Sequence, residues 1–254
     1  MSTTRFFLGL VPVDAMTLSD AVRAVELLVQ SGSGGAVYTP NVDHVMLVEH
    51  DVALRDAYAH VDLSLPDGMP VVWGARLLGH QVPERVSGSD LLIPVLEMAA
   101  LKGLGVYFFG ADDVTLTRAQ AVLASKSPSV RVCGTACPRV DLGCDDVQFE
   151  AWCAPIRASH AQLVIVALGA PKQELFIARA RKRLPEVVFL ALGAALEFVA
   201  GTQTRAPHWM QRSGLEWAFR LGREPRRLAH RYLVRDAGYP LVLWRAWRAS
   251  RHAD

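Results

Sequence analysis

The chain has 254 residues, of which 51% are hydrophobic and 20% are charged, so it can bury one sizeable core and is not a disordered protein. Its formal net charge is +2, but residues 201–254 hold eleven arginines and four acidic residues, which gives this C-terminal tail +7 and leaves −5 for residues 1–200. Because no apolar run reaches the roughly 18 residues of a membrane span and the N-terminus lacks a convincing signal peptide, we expect a cytoplasmic chain.

Predicted strands and helices alternate along the chain, beginning with a strand and loop over residues 35–41 and a helix over 42–60. The later elements are a strand at 61–65, a helix from near Met69, a helix at 89–103 capped by Ser89, a strand at 105–111, a helix at 112–127, a strand at 129–136, a helix at 145–160, a strand, loop and helix at 161–185, and a last apolar segment at 186–201. This alternation predicts an α/β protein with a largely parallel sheet and helices on both faces. We divide it into a body, residues 1–200, and a tail, residues 201–254.

Polar residues follow several of the predicted strands. They lie in Thr39-Pro40-Asn41, Pro66-Asp67-Gly68, Gly110-Ala111 and the stretch from Gly169 to Glu174. Ligands of open parallel sheets bind beyond the carboxyl ends of the strands. These residues are therefore expected to converge on one ligand-binding edge.

Asp67 has two interpretations from its position alone. A turn needs its proline and glycine but not a carboxylate between them. The carboxylate can accept hydrogen bonds from the first turn of the helix that begins near Met69, or it can serve a reaction. The turn by itself leaves both open.

Several nucleotide and metal motifs are absent from the sequence. No G-x-G-x-x-G follows a predicted strand and there is no Walker P-loop, which argues against a dinucleotide oxidoreductase and an ATPase. There is also no D-x-D, so a bound diphosphate would need arginine, lysine or helix N-termini to neutralise it. Cys133, Cys137, Cys144 and Cys153 lack paired C-x-x-C spacing, so we predict reduced thiols and no metal site.

The tail combines its arginines with four of the six tryptophans, Trp209, Trp217, Trp244 and Trp247. This composition slightly favours binding to anionic lipid headgroups. A solvated basic helix and a nucleic-acid surface are the alternatives.

The segments TPNVDHV, LPDGMPVVW, ERVSGSDLL, LGAPKQE and RAPHWMQRSGLEWAFRLGREPRRLAHRYL closely resemble the WecG/TagA/CpsF glycosyltransferases, in the same order and up to about Val234. The resemblance implies a Rossmann-like body with a helical, basic, membrane-associating appendage. It implies inverting, metal-independent transfer of a sugar from a UDP-sugar to a polyprenyl-diphosphate-linked sugar during assembly of bacterial surface or exopolysaccharides. No cofactor is implied.

The resemblance also assigns roles to residues, of which the first is Asp67 as the base that activates the acceptor hydroxyl. It places Thr39 and Asn41 at the sugar or acceptor, although turn formation is the alternative for both. Arg85 would bind a phosphate, with an ion pair to Glu84 or Asp90 as its alternative.

The same resemblance assigns donor binding to Gln173 and Glu174. Gly110, Gly169 and Lys172 are further candidates for substrate binding because they lie in the strand-end loops. Residues 172–174 can instead begin a solvated helix. A further donor residue, Glu197, stands in LEFVAG where the family has FDFLAG, so the carboxylate is kept but lengthened.

In the tail, Arg220 and Arg227 match arginines that stabilise the departing diphosphate. At His230 related chains more often have Arg or Lys, which leaves His230 or Arg231 for a third cationic position.

Two other function classes remain open from the sequence, a nucleotide-binding oxidoreductase and a non-catalytic membrane adaptor. The donor sugar stays undetermined, with N-acetylmannosamine, its uronic acid, glucose or another hexose as candidates. The expected partners are a UDP-sugar, a polyprenyl-diphosphate-linked sugar and the inner face of the plasma membrane, where the chain would be peripheral. We expect no nucleic acid, and a homo-oligomer stays open.

Overall fold

A computed structural model describes residues 4–251, except for the side chains of His208, Arg212, Arg227, Ser250 and Arg251. The strands are β1 (Thr4–Leu8), β2 (Val11–Ala15), β3 (Gly35–Tyr38), β4 (Leu63–Ser64), β5 (Gly105–Gly110), β6 (Arg131–Ala136), β7 (Leu163–Ala167) and β8 (Val188–Ala191). Six of them form one parallel sheet in the order β4-β3-β8-β7-β5-β6. Strands β1 and β2 form a separate antiparallel hairpin.

Helices accompany the sheet along the whole chain. They are α1 (Leu18–Gln30), α2 (Val42–His50), α3 (Val52–Ala59), α4 (Met69–Leu77), α5 (Gly88–Leu101), α6 (Asp113–Lys126), α7 (Asp146–Ala158), α8 (Lys172–Ala180), α9 (Ala195–Ala200), α10 (His208–Arg212), α11 (Glu216–Arg223), α12 (Pro225–His230) and α13 (Tyr239–Arg251). A π-helical turn (Arg231–Arg235) and a 3₁₀ turn (Asp236–Gly238) join α12 to α13.

Both faces of the sheet are buried, as the continuous apolar runs in its strands predict. Along β5, Tyr107 and Phe109 belong to one hydrophobic core, whereas Val106 and Phe108 belong to a second core. Successive side chains of a strand point to opposite faces, so the two cores lie on the two sides of the sheet. The predicted α/β fold is confirmed.

Three predicted elements differ from the structure. The predicted helix over 42–60 is two helices, because Asp51 ends α2 and its carboxylate caps α3 by accepting from Leu54 N (3.0 Å). The cap of α5 is Ser87 and not Ser89, since Ser87 Oγ accepts from Asp90 N (3.2 Å). The predicted strand at 61–65 is reduced to Leu63–Ser64, and at its N-terminal end the Asp62 carboxylate replaces a backbone carbonyl as the acceptor from Ala36 N (2.8 Å).

The end of the tail packs against the body. Tyr239 and Val242 are buried in the first hydrophobic core, and Tyr239 Oη donates to Pro70 O (3.2 Å) on α4. The tail therefore contributes to the core of the body, and the boundary at residue 200 stays a prediction. In the part of the chain that the structure describes, no helix combines the length and the apolar character that crossing a bilayer requires.

Candidate active site

A cavity of about 810 Å³ lies at the edge of the sheet where β3, β4, β7 and β8 end. The cavity is lined by the loops after these strands and by α11 with the π-helical and 3₁₀ turns of the tail. Its volume lies within the roughly 300–1,000 Å³ that is usual for small-molecule sites. This cavity is the candidate active site.

Asp67 lies in the cavity wall and takes no part in helix capping. The N-cap of α4 is Gly68, with a φ of 95°, and no side chain caps that helix. The Asp67 loop is tied to the loop after β3, because Asp67 N donates to Pro40 O (2.9 Å). The Asp67 carboxylate therefore does not serve as the cap of α4.

The surroundings of Asp67 oppose its ionisation. Protein atoms surround the carboxylate, although the residue keeps part of its surface open to the cavity. Burial raises its pKa to about 6, the carboxylates of Glu216 and Asp90 add to this effect, and Arg85 and Arg220 counteract it. A carboxylate with this pKa can accept a proton near neutral pH.

Arg85 lines the cavity and also forms the ion pair that was its alternative role. Its Nη2 lies 2.8 Å from Asp90 Oδ2, and its Nη1 lies 3.5 Å from Glu216 Oε2 in α11. Asp90 also accepts from Ser87 Oγ (2.7 Å) and pairs with Arg205 (2.6 Å). The guanidinium of Arg85 thus contacts carboxylates of both the body and the tail.

The two polar residues after β3 both line the cavity and both have structural contacts. Thr39 Oγ1 donates to Ala191 O (3.2 Å) and is largely buried. Asn41 caps α2, since its Oδ1 accepts from Asp43 N (3.0 Å), and the same oxygen accepts from Arg231 Nη2 (3.0 Å). The turn-forming role of Asn41 is therefore present, and its amide NH₂ is the group left for a ligand.

Residues of the loop after β7 separate into two groups. Gly169 and Gln173 line the cavity, and Gln173 Oε1 accepts from Gly193 N (3.1 Å) after β8. Glu174 is 0% exposed and lies behind the cavity, where its Oε1 accepts from Gln173 Nε2 (2.8 Å) and contacts His44 Nε2 (3.1 Å). Lys172 is exposed and does not line the cavity.

Gly110 has a conformational role and lies outside the lining of the cavity. Its φ is +92°, and a Cβ at this position would lie 2.6 Å from the carbonyl oxygen of Ala167. Glu197, in contrast, lines the cavity from the first turn of α9.

The tail contributes cationic residues to the cavity. Arg220 and Arg231 line it, whereas His230 is exposed and lies outside its lining. The side chain of Arg227 lies outside the described residues. Of the two candidates for the third cationic position, Arg231 is thus the one that faces the cavity.

Four further residues line the cavity and were not predicted from the sequence, namely Asp43, Glu216, Arg235 and Asp236. Asp43 lies within the segment TPNVDHV, and Glu216 lies within RAPHWMQRSGLEWAFRLGREPRRLAHRYL, so the signal was present in the sequence. All four cysteines are free thiols, and no cluster of three His, Cys, Asp or Glu side chains suited to a metal ion occurs among residues that the structure describes.

Comparisons with known proteins give matches over most of the chain. Residues 7–253 match the model of the glycosyl transferase WecG/TagA/CpsF family. The chain is also 29% identical over 188 residues, 74% of its own length and 71% of the relative's, to the N-acetylglucosaminyldiphosphoundecaprenol N-acetyl-beta-D-mannosaminyltransferase of Bacillus subtilis (strain 168). The match spans nearly the whole chain, including the tail that closes the cavity, and the chain belongs to the WecG/TagA/CpsF family of glycosyltransferases.

Proposed function

We propose that the chain transfers a sugar, with inversion, from a nucleotide-diphosphate sugar to a polyprenyl-diphosphate-linked sugar, and that Asp67 is the base. The observation that carries this proposal is a cavity-lining carboxylate with a pKa of about 6 beside arginines from both the body and the tail. A base of this pKa is largely ionised at neutral pH and can still hold a proton in the transition state.

The transfer requires a group that accepts one proton and a group that stabilises the departing diphosphate. The acceptor oxygen forms the new bond to the anomeric carbon, and its proton passes to the Asp67 carboxylate. The bond from that carbon to the diphosphate oxygen breaks, and its electron pair leaves with the diphosphate. Attack from the side opposite the leaving group inverts the anomeric configuration.

Arg220 is the cavity arginine best suited to the departing diphosphate. Arg85 is paired with Asp90 and Glu216, and Arg231 and Arg235 are paired with Asp43. Among the described side chains, Arg220 has no hydrogen-bond or ion-pair partner. A guanidinium placed where negative charge develops stabilises the transition state without first giving up another contact.

The substrates are proposed by analogy with the relative. Its name specifies an N-acetylglucosaminyl-diphosphoundecaprenol acceptor and transfer of N-acetylmannosamine. We propose the same class of acceptor for this chain and an N-acetylhexosamine or hexose carried by UDP. A lipid-linked acceptor also supports a peripheral position at the inner face of the plasma membrane, with the basic tail on the lipid headgroups.

A donor panel tests this function. Purified protein is mixed with a short-chain polyprenyl-diphosphate-N-acetylglucosamine and separately with UDP-N-acetylmannosamine, UDP-N-acetylglucosamine and UDP-glucose, and both UDP and the disaccharide product are measured. We expect one donor to give stoichiometric UDP and product, and EDTA to leave the rate largely unchanged because arginines neutralise the diphosphate. Absence of product with every donor, or strict dependence on added magnesium or manganese, would contradict the proposal.

A further inference from the structure

A cluster of charges joins the start of α2 to the tail. Asp43, in the first turn of α2, is only 3% exposed. Its Oδ2 lies 3.2 Å from Arg231 Nε, and its Oδ1 pairs with Arg235 Nη2. We call Asp43, Arg231 and Arg235 the Asp43 cluster.

The π-helical turn brings both arginines to this one carboxylate. Arg231 and Arg235 are its first and last residues, and Asp236 follows at once, with its Oδ2 3.8 Å from Arg231 Nε. Single π-helical turns in proteins occur frequently at functional sites. The local backbone is thus shaped so that two guanidinium groups of the tail meet one buried carboxylate of the body.

Because Asp43 is buried, its carboxylate depends on the two arginines for compensation of its charge. A buried carboxylate is costly unless charged or hydrogen-bonding partners compensate for the lost water. Arg231 and Arg235 both come from the tail, so moving the tail away would remove these two cations from Asp43. The docked position of the tail is therefore favoured over a displaced one.

The Asp43 cluster is connected directly to the candidate active site. Arg231 Nη2 donates to Asn41 Oδ1 (3.0 Å), and Asn41 lines the cavity. On the tail side, α12 contacts both the π-helical turn and α11, which carries Arg220. The position of the π-helical turn thus determines the position of Arg220.

We propose that Asp43 is a positioning residue for the transfer reaction: it holds Arg231 and Arg235, and through them it fixes Arg220 and the Asn41 amide at the cavity. This inference rests on the proposed function. Because both carboxylate oxygens form ion pairs with guanidinium groups, Asp43 acts through these arginines.

The chain supplies a matched control. Glu49 of α2 pairs with Arg245 of α13 (2.7 Å), so this ion pair joins the same helix to the same tail. Arg245 is more than half exposed, and neither residue lines the cavity. The Glu49 side chain is 13% exposed, but the Arg245 guanidinium remains in solvent and screens the pair, so its loss should have a smaller effect than loss of the Asp43 cluster.

The experiment compares Asp43→Asn, Arg235→Gln, Arg235→Lys, the Asp43→Asn/Arg235→Gln double variant and the control Glu49→Gln, all in the full chain. Hydrogen–deuterium exchange of residues 216–235 is measured against that of β5 and β7. In parallel, kcat and KM are measured with the donor and acceptor identified by the panel.

We expect Asp43→Asn to speed exchange of residues 216–235 by about tenfold or more, with β5 and β7 unchanged, because a buried ion pair is broken. The same variant should lower kcat by about tenfold or more, and the double variant should be no worse than Asp43→Asn. Arg235→Lys should retain more activity than Arg235→Gln, and Glu49→Gln should change either quantity by less than about twofold.

Two outcomes would overturn the inference. One is wild-type exchange of residues 216–235 in both Asp43→Asn and Arg235→Gln. The other is faster exchange with unchanged kcat, which would leave the Asp43 cluster a purely structural contact. If Asp43→Asn does not fold, the exchange and kcat of Arg235→Gln test the inference, because this variant keeps the ion pair between Arg231 and Asp43. If the wild type transfers no sugar, the proposed function fails, while the exchange data still decide whether Asp43 holds the tail.

Discussion

The surroundings of Asp67 disfavour the ionised form of its carboxyl group. Burial raises its pKa to about 6 from an ordinary value of 3.8, although Arg85 and Arg220 act in the opposite direction. An exposed aspartate at neutral pH would be a weaker proton acceptor, because its conjugate acid is stronger. The position of the residue at a buried strand end thus produces the property that the proposed reaction needs.

The pH dependence of kcat/KM follows from this pKa. Asp67 must be ionised to accept the proton, so kcat/KM should rise about tenfold per pH unit below about pH 6 and reach a plateau above it. The measurement is a pH profile of kcat/KM for the donor, taken at a saturating concentration of the acceptor. A profile that is flat from pH 5 to pH 8 would remove Asp67 from the base role.

Asp236 needs a control, because burial and the neighbouring Asp43 raise its pKa to about 6 as well. Asp236→Asn should change the height of the profile but leave its midpoint near pH 6. If the midpoint moved with Asp236→Asn, the profile would report on the tail and not on Asp67.

The same raised pKa predicts a gain in stability when Asp67 is made neutral. Folding favours the protonated form, so wild-type stability is fully present below the unfolded pKa, near 4, and is lost as pH rises through the folded pKa of about 6. At pH 8, Asp67→Asn should therefore raise the free energy of unfolding by up to about 3 kcal/mol. Urea unfolding at pH 8 and at lower pH measures this difference, which should shrink towards pH 4. If Asp67→Asn were less stable than the wild type at pH 8, ionisation of Asp67 would not be unfavourable in the folded protein.

At the scale of elements, the contact between α4 and α13 depends on a missing side chain. A Cβ on Gly74 would collide with Tyr239 Oη and would lie 2.8 Å from Leu243 Cδ2. Gly74→Ala should therefore lower the free energy of unfolding by about 1–3 kcal/mol, although alanine is the better helix former. It should also lower the transfer rate, because α13 carries the end of the tail.

Gly222 in α11 is the matched control for this substitution. Nothing lies within 4 Å of a Cβ at Gly222, so Gly222→Ala should raise the free energy of unfolding by up to about 1 kcal/mol. Urea unfolding of both variants measures the two effects. A Gly74→Ala protein as stable as Gly222→Ala would contradict the packing of α13 on α4.

The sheet was predictable from the sequence because its strands are buried on both faces. Strands β5 and β7 are continuous apolar runs bounded by helical segments, and this pattern is typical of parallel sheets. The hairpin of β1 and β2 was not predicted, since it is short and contains Pro12 at its edge. Helix α1 was also missed, although Thr17 supplies a cap signal by accepting from Asp20 N (3.2 Å).

The strand-end residues of the candidate site were also predictable, because the topology of a parallel sheet brings its carboxyl ends together. The contacts that close the cavity were not. Arg85 meets Glu216, and Asp43 meets Arg231, across most of the length of the chain. Such pairs have no local pattern, since the partners lie on separate elements whose docking is a property of the whole fold.

At the scale of the whole molecule, the tail carries +7 and exposes Trp244 and Trp247 on α13. Changing both tryptophans to alanine should weaken binding to anionic vesicles, because indole rings anchor at headgroup depth, and should spare transfer to a soluble acceptor analogue. Vesicle sedimentation at low salt measures the binding. Wild-type protein that ignores anionic vesicles at low salt, where attraction is least screened, would contradict a membrane role for the tail.

The central claim is that Asp67 takes the proton of the acceptor. Its most direct test is the turnover number of Asp67→Asn, measured together with donor affinity by calorimetry. We predict a loss of about a hundredfold or more in kcat with donor binding retained, since asparagine keeps the shape of the side chain and cannot act as the base. Near-normal turnover of Asp67→Asn would contradict the account.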